Sequence, residues 1–224
     1  MAIGLFILVQ ERTFADALAI RLEEEPDVAV VAALDTKARP PRVFAGNHVD
    51  VVLLDADLAD DAAFRLCAEL SQASPAPYVV FLSHSADPAR IVRAIRAGAV
   101  GWVGKEEPLE RLIHVIKGVA RGETWLPPGQ TGEVLRLLLH STEGDNDSAE
   151  LLTALTDRER QVLVCLAEGI QRRDIADHLH MSPNTVRTHL QNLMGKLGVH
   201  TALEAVALMR RQLDDELSQR RMAY

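Results

Sequence analysis

Short apolar runs alternate with amphipathic helical patterns along the first half of the chain. The apolar runs predict five strands, at Gly4–Val9, Val28–Leu34, Val49–Leu54, Tyr78–Ser83 and Gly101–Val103. The helical patterns predict helices at Phe14–Glu25, Ala62–Ser71, Asp87–Ala97 and Leu109–Arg121, and a weaker one between Lys37 and Asn47. Strands that alternate with helices at this spacing form a parallel sheet covered on both faces. We therefore predict an α/β unit with a five-stranded, parallel, doubly wound sheet.

Short helical patterns without strands occupy the last third of the chain. They predict four helices, from the Thr156 cap to Gly169 and at about Arg172–Leu179, Pro183–Lys196 and Thr201–Arg210. Thr156 and Glu159 have the spacing of a capping box. Ser182 supplies the cap of the third helix and Pro183 its first turn. Two short helices joined by a tight turn, the second fit to enter the major groove of DNA, predict an all-α helix-turn-helix domain.

The stretch between the two patterned regions has little periodicity. Three residues at 127–129, two prolines and a glycine, break the structure, and residues 133–140 then form one short amphipathic helix. Residues 141–150 are polar and acidic, as an exposed linker would be. The chain is thus divided into an α/β domain at 1–122, a linker with one short helix at 123–150, a helical domain at 151–213 and a charged tail at 214–224.

The net charge of −8 is unevenly distributed. Residues 1–150 have 14 Lys and Arg against 23 Asp and Glu, whereas residues 151–211 have 8 against 6. An acidic body with one mildly basic end suits a protein whose contact with DNA is confined to that end. The apolar runs are too short to span a bilayer, the N-terminus has no signal-peptide pattern, and both cysteines lie in apolar helical patterns. We therefore expect a cytoplasmic protein without disulfides.

The third predicted helix of the second domain has a polar face opposite its apolar stripe. This face and its flanks carry Asn184, Thr185, Arg187, Thr188, Gln191 and Lys196. Arginine suits guanine, glutamine suits adenine, and the threonine methyl suits thymine. The helix N-terminus with Thr185 could hold a phosphate. A polar face of this kind is also the solvated side of an ordinary four-helix bundle, so composition alone does not decide between the two interpretations.

The whole of residues 151–213 resembles the LuxR/FixJ-type (NarL-like) helix-turn-helix domain. The matching stretches are LTDRERQVLVCLAEG, DIADHL, MSPNTVRTHLQNLMGKLGV and TALEAVALM. The resemblance implies a four-helix domain that binds double-stranded promoter DNA at inverted-repeat half-sites, as a homodimer paired through the last helix. It implies base contacts from Arg187, Thr188 and Gln191, and phosphate contacts from Thr185 and Lys196.

Polar side chains follow three predicted strands of the α/β unit. Asp55 ends VDVVLLD, Ser83 ends YVVFLS, and Lys105 follows GWVG. Because the carboxyl ends of parallel strands meet at one crevice, we expect these side chains to lie close together. The carboxylate could accept a phosphoryl group whose oxygens the hydroxyl and the ammonium would hold. Alternatively, Asp55 serves only the hydrogen bonding of the sheet end.

Together with this spacing, residues 3–121 resemble the flavodoxin-like receiver domain of two-component response regulators. GAVGWVGK matches the run that leads to the lysine of that family. The resemblance implies phosphorylation of Asp55 by a sensor histidine kinase, with Ser83 and Lys105 in the phosphate pocket. It also implies that Trp102 is the aromatic switch residue.

The acidic pocket departs from the receiver pattern after the first strand. Receivers have two acids there, which hold Mg²⁺ together with the phosphoacceptor, here Asp55, and a backbone carbonyl, here that of Asp57. This chain has the neutral Gln10, and then Glu11, which is one methylene longer than aspartate. Because Mg²⁺ demands near-ideal octahedral oxygen geometry, we expect a weakened Mg²⁺ site at Glu11, Asp55 and Asp57, in an atypical receiver.

Two modes of control stay open at the level of the sequence. The receiver sets dimerisation and promoter binding either through phosphorylation of Asp55, or through a ligand or protein that binds it independently of phosphorylation, as in an orphan regulator. An enzyme is not expected, because neither a G-x-G-x-x-G motif nor a P-loop follows the first strand.

Overall fold

The computed structural model describes residues 2–35, 48–73, 75–140, 148–199, 201–210 and 212. The chain divides into two compact units, with the boundary after Gln130. The weak helix predicted between Lys37 and Asn47 lies outside the described residues, as does the predicted charged tail at 214–224. Each unit is described by itself below.

Five parallel strands form the sheet of the first unit. Strands β1 to β5 span Ile3–Val9, Val28–Asp35, Val51–Asp55, Tyr78–Ser83 and Ala99–Gly104. Their order across the sheet is β2-β1-β3-β4-β5. This is one of the two common doubly wound orders, and its ligand site lies at the carboxyl ends of the strands beside β1 and β3, where the order reverses. The predicted parallel, doubly wound sheet is confirmed.

Four helices cover the two faces of this sheet. Helices α1 to α4 span Arg12–Glu23, Ala62–Ser71, Pro88–Arg96 and Leu109–Ala120. The ends of these helices lie within two residues of the predicted ones. All five residues of β3 are buried, as a central parallel strand requires. The burial of β3 carries Asp55, its last residue, into the interior at the carboxyl edge of the sheet.

The chain that leaves α4 packs against the outer edge of the sheet. Trp125 forms a parallel bridge with Gly101. The Trp125 N–H donates to the Val100 carbonyl at 2.9 Å, and the Trp125 carbonyl accepts from the Trp102 N–H at 3.0 Å. Residues 123–130, at the start of the predicted linker, are therefore part of the first unit. They cover part of the edge of β5, whose backbone groups would otherwise be unpaired.

Six helices are described in the second unit. Helices α5 to α9 span Thr131–His140, Ser148–Thr153, Asp157–Ala167, Arg172–His178 and Pro183–Leu197, and α10 spans 202–210. One prediction needs correction, because Ser148–Glu150 were assigned to the linker and instead begin α6. Leu151 and Leu152 of this helix pack against the core of the unit. This packing outweighs the polar local composition on which the prediction rested.

Apolar side chains from α7, α8, α9 and α10 form that core, which includes Val162, Ile175, Leu190, Leu193 and Ala205. Two of its helices, α7 and α10, begin with a capping box. The predicted one, Thr156 with Glu159, is confirmed at α7. Thr201 and Glu204 form a second at α10, where each backbone N–H donates to the other side chain at 3.2 Å. No helix among the described residues is both long enough and apolar enough to cross a membrane.

Candidate phosphate pocket and nucleic-acid interface

Asp55 is fully buried at the end of β3, and hydrogen-bond donors surround its carboxylate. The Lys105 ammonium lies 2.7 Å from Oδ1 and 2.8 Å from Oδ2, and the lysine side chain is itself only 6% exposed. The backbone N–H groups of Asp57 and Gln10 donate to Oδ1 and Oδ2, both at 3.0 Å. The structure therefore brings Asp55 and Lys105 together as the sequence predicts, and Gln10 contributes a backbone donor to the pocket.

The Asp57 side chain forms a second charge pair beside the first. Its Oδ1 accepts from Arg90 Nη2 at 3.0 Å and from the Ser83 hydroxyl at 3.3 Å. Its Oδ2 accepts from the His84 N–H at 3.3 Å and lies 3.6 Å from the Lys105 ammonium. Burial on its own would raise the pKa of Asp57, but the donors and cations outweigh it, Arg90 foremost, and hold that pKa below its ordinary value.

Ser83 and Trp102 lie next to this pair. The Ser83 hydroxyl accepts from the Ser85 N–H at 3.2 Å, so its contacts link Asp57 to the loop after β4. Trp102 is buried, and its indole N–H donates to the Ser85 carbonyl at 3.1 Å. Its ring stacks on Phe81, with centroids 5.6 Å apart. The roles of Ser83 in phosphate binding and of Trp102 as a switch stay predictions.

These residues fit a divalent cation poorly. Glu11 has an exposed side chain at the start of α1. The carboxylate oxygens of Asp55 and Asp57 already accept from Lys105, Arg90 and three backbone N–H groups. Among the described residues, no three Asp, Glu, His or Cys side chains are grouped so that they could hold a metal ion. Of the expected ligands at Glu11, Asp55 and Asp57, the Asp55 carboxylate is therefore already engaged, and a metal role for the Asp57 carbonyl stays a prediction.

Sequence reasoning missed Arg90. It lies on the first turns of α3, and its Nη2 also donates to the Ala56 carbonyl at 2.7 Å. Its guanidinium carbon lies 5.9 Å from the centre of the Trp102 ring. No sequence motif identifies this residue, because its partners Ala56 and Asp57 lie more than thirty positions away, just after β3. The fact that α3 follows β4, whose end forms the pocket, is the one available signal.

In the second unit, α9 is the predicted reader helix and is capped as predicted. The Ser182 side chain accepts from the Thr185 N–H at 3.1 Å, and Pro183 stands in the first turn. The Thr185 and Ser182 hydroxyls lie 2.8 Å apart. His180, between α8 and α9, has a positive φ of 52°. These contacts build the tight turn of a helix-turn-helix motif.

The buried positions of α9 define which face is available for binding. Val186, Leu190, Leu193 and Leu197 are buried in the core. By helical periodicity, positions 184, 188 and 191 fall on the opposite face and position 187 at its flank. Thr188 is exposed. The side chains of Asn184, Arg187 and Gln191 lie outside the described part of the structure, so their base contacts stay predictions.

Lys196 has a partner within its own unit that sequence reasoning did not foresee. Its ammonium lies 2.7 Å from Glu159 Oε2, which also accepts from the Thr156 N–H at 2.8 Å. The carboxylate is almost fully buried. Burial would raise the pKa of Glu159, but Lys196 and the Thr156 cap outweigh it and lower that pKa. Lys196 thus fastens α9 to α7, and its predicted phosphate contact is untested.

Both halves of the chain match known protein families. Residues 6–117 match the response regulator receiver domain, and residues 153–209 match the bacterial regulatory proteins of the luxR family. The transcriptional regulatory protein UhpA of Escherichia coli K12 is 33% identical over 207 residues, covering 92% of this chain and 94% of the relative. The transcriptional regulatory protein LiaR of Bacillus subtilis is 29% identical over 198 residues, covering 87% and 90%.

A solved structure of RcsB dimers bound to two parallel DNAs has the same fold. Its TM-score is 0.53 at 18% identity, and it covers 94% of this chain and 99% of the RcsB chain. The predicted resemblance to LuxR-type response regulators is confirmed by these matches. The chain belongs to the response regulators that join a receiver domain to a luxR-family DNA-binding domain, and it is a DNA-binding transcription regulator.

Proposed function

We propose that this regulator binds promoter DNA as a homodimer, with α9 in the major groove and the receiver unit setting the extent of dimerisation. One observation carries the first part: α9 is capped, buried along one face and polar along the other, as a reader helix must be. The RcsB dimers bound to DNA support binding as a homodimer by likeness of fold. The mild basicity of residues 151–211 suits a polyanionic partner.

The polar face of α9 supports the following set of expected DNA contacts. Asn184, Arg187, Thr188 and Gln191 would read base edges in the major groove. Thr185 and the N-terminus of α9 would hold one phosphate, and Lys196 another. At Lys196 a DNA phosphate would compete with the Glu159 carboxylate for the ammonium, so this phosphate contact should be the weaker of the two.

A binding measurement on selected DNA tests this proposal. The full chain is used to select duplexes from genomic fragments, and fluorescence anisotropy then compares wild type with two variants. Arg187→Ala should lose roughly 1–3 kcal/mol of discrimination at one base position. Arg158→Ala removes the same charge from an exposed position on α7 and should leave discrimination unchanged. If wild type selects no duplex, with or without a phosphodonor, the proposal is wrong.

The input to the receiver has two candidates. Phosphorylation of Asp55 by a sensor histidine kinase is supported by the family and by the contact of Lys105 with Asp55. Control by a bound ligand or protein, independent of phosphorylation, is favoured by the neutral Gln10 in place of an acid, and by the Arg90–Asp57 pair, which brings a positive charge to the residue whose carbonyl would serve a metal.

Intact mass spectrometry after incubation with acetyl phosphate and Mg²⁺ separates these candidates. Stoichiometric addition of one phosphoryl group to wild type, absent from Asp55→Ala, would establish phosphorylation at Asp55. No addition to wild type would support control by a ligand or protein.

A further inference from the structure

Two arginines of α3 are fastened to the segment that follows β3. Arg90 pairs with Asp57 at 3.0 Å inside the pocket. Arg93, one turn on, pairs with Asp61 at 2.7 Å, with both side chains about half exposed. Arg93 also lies over the Phe64 ring, 4.5 Å from its centre. The two arginines are thus similar in partner and in ring contact, but only Arg90 reaches the carboxylates at the strand ends.

We propose that the Arg90 guanidinium replaces the divalent cation in this receiver, so that the pocket is complete and electrically neutral without a metal ion. The inference rests on the proposed role of the pocket as the input of the regulator. Lys105 and Arg90 bring two positive charges to the two carboxylates of Asp55 and Asp57. A divalent ion would add two further positive charges to a pocket in which these four groups already balance.

The hydrogen bonds around the pocket support the same conclusion. Each oxygen of Asp55 accepts from Lys105 and from one backbone N–H. Each oxygen of Asp57 faces one cation and one further donor. A metal ligand needs a lone pair directed at the ion, so binding to the Asp55 carboxylate would require one of its bonds to Lys105 or to a backbone N–H to break.

Arg90 is also held in place by groups that a metal would not displace. Its Nη2 bonds the Ala56 carbonyl, one residue before Asp57, and its guanidinium lies against Trp102. Arginine is planar and always charged, and it can bond a carboxylate and a carbonyl at once. It is therefore better suited than lysine to be a permanent counter-ion. A metal ion held by the Asp57 carbonyl would lie next to the positive charge that Arg90 already brings to the same residue.

Binding of Mn²⁺, a probe for octahedral oxygen sites, tests the proposal. The electron paramagnetic resonance signal of free Mn²⁺ is measured against full-length wild type, Gln10→Asp, Gln10→Asp/Arg90→Ala and Gln10→Asp/Arg93→Ala. The Gln10→Asp background restores one acid, and the two arginine variants lose one equal charge each. We expect no saturable binding to wild type, and about tenfold or more tighter binding with Arg90→Ala than with Arg93→Ala.

Two results would overturn the proposal: stoichiometric Mn²⁺ binding to wild type that Asp55→Ala removes, or equal affinities for the two double variants. Circular dichroism checks that each variant is folded, and Arg90→Gln, which keeps a hydrogen-bonding side chain without the charge, replaces Arg90→Ala if the latter does not fold. The affinity for selected DNA is measured on the same samples. Loss of DNA binding by wild type would count against the proposed function, whereas the Mn²⁺ affinities test only the role of Arg90.

Discussion

Two buried carboxylates in this chain each bond a lysine and a backbone N–H, yet their surroundings differ. Asp55 is 0% exposed and Lys105 6%, whereas Glu159 is 3% exposed and Lys196 37%. In the receiver, donors to the pocket come from several strand ends and from α3. In the helical unit, the remaining donor is the cap of the same helix, at Thr156. The two pairs thus differ in how many separate segments supply their donors and in how far water reaches the lysine.

The two pairs should also differ in energy. Removing Lys105 would leave the buried Asp55 carboxylate without a cation, and an unpaired buried charge lowers the stability of the fold strongly. Lys196 is more than a third exposed, so water screens its bond and can replace it.

Lys105→Met should destabilise the receiver by roughly 3–5 kcal/mol, because it leaves Asp55 buried without a cation. Urea unfolding followed by tryptophan fluorescence measures this, since both tryptophans, Trp102 and Trp125, belong to the first unit. Asp55→Asn/Lys105→Met should recover part of the loss, because the buried charge is gone. A loss under about 1 kcal/mol in the single variant would mean that Asp55 does not depend on Lys105.

Lys196→Met should cost about 1 kcal/mol, because Lys196 is more than a third exposed and water already screens its bond to Glu159. Hydrogen exchange of the α7 amides, followed by mass spectrometry, reports this loss locally. Arg158→Met removes an exposed arginine from α7, the helix whose exchange is followed, and serves as the matched control. Equal exchange in the two variants would show that the Lys196 bond contributes nothing to α7.

Because the pKa of Glu159 is lowered, the stability of the helical unit should depend on pH in the acid range. A depressed pKa contributes stability that is complete above the ordinary value of 4.5 and is lost as the pH falls through the lowered pKa. Nuclear magnetic resonance titration of the glutamate side-chain carboxyl carbons measures that pKa directly. In Lys196→Met it should rise, because the ammonium no longer favours the ionised form. An unchanged titration would exclude Lys196 as a cause of the shift.

Much of the pocket could be predicted because it follows from the order of elements along the chain. Each of Asp55, Ser83 and Lys105 ends or follows a strand, and parallel strands bring their carboxyl ends together. The capping box at Thr156 could be predicted for a similar reason, because its partners are three residues apart. Local spacing and sheet topology were sufficient for these features.

The features that could not be predicted depend on packing between distant elements. Arg90 meets Asp57 only because α3 lies against the end of β3, 33 positions away in sequence. Glu159 was identified as a cap, but its bond to Lys196 depends on how α7 crosses α9, 37 positions away. The start of α6 was missed because tertiary contacts of two leucines, rather than local composition, favour the helix.

The most direct single measurement is binding of the full chain to a selected promoter duplex by fluorescence anisotropy. It is made with acetyl phosphate and Mg²⁺, and again with EDTA at matched ionic strength, for wild type and Asp55→Ala. If Arg90 takes the place of the metal, the wild-type binding curve should be the same in both solutions. Stronger wild-type binding with Mg²⁺ and phosphodonor, absent from Asp55→Ala, would contradict this and show an ordinary metal-dependent receiver.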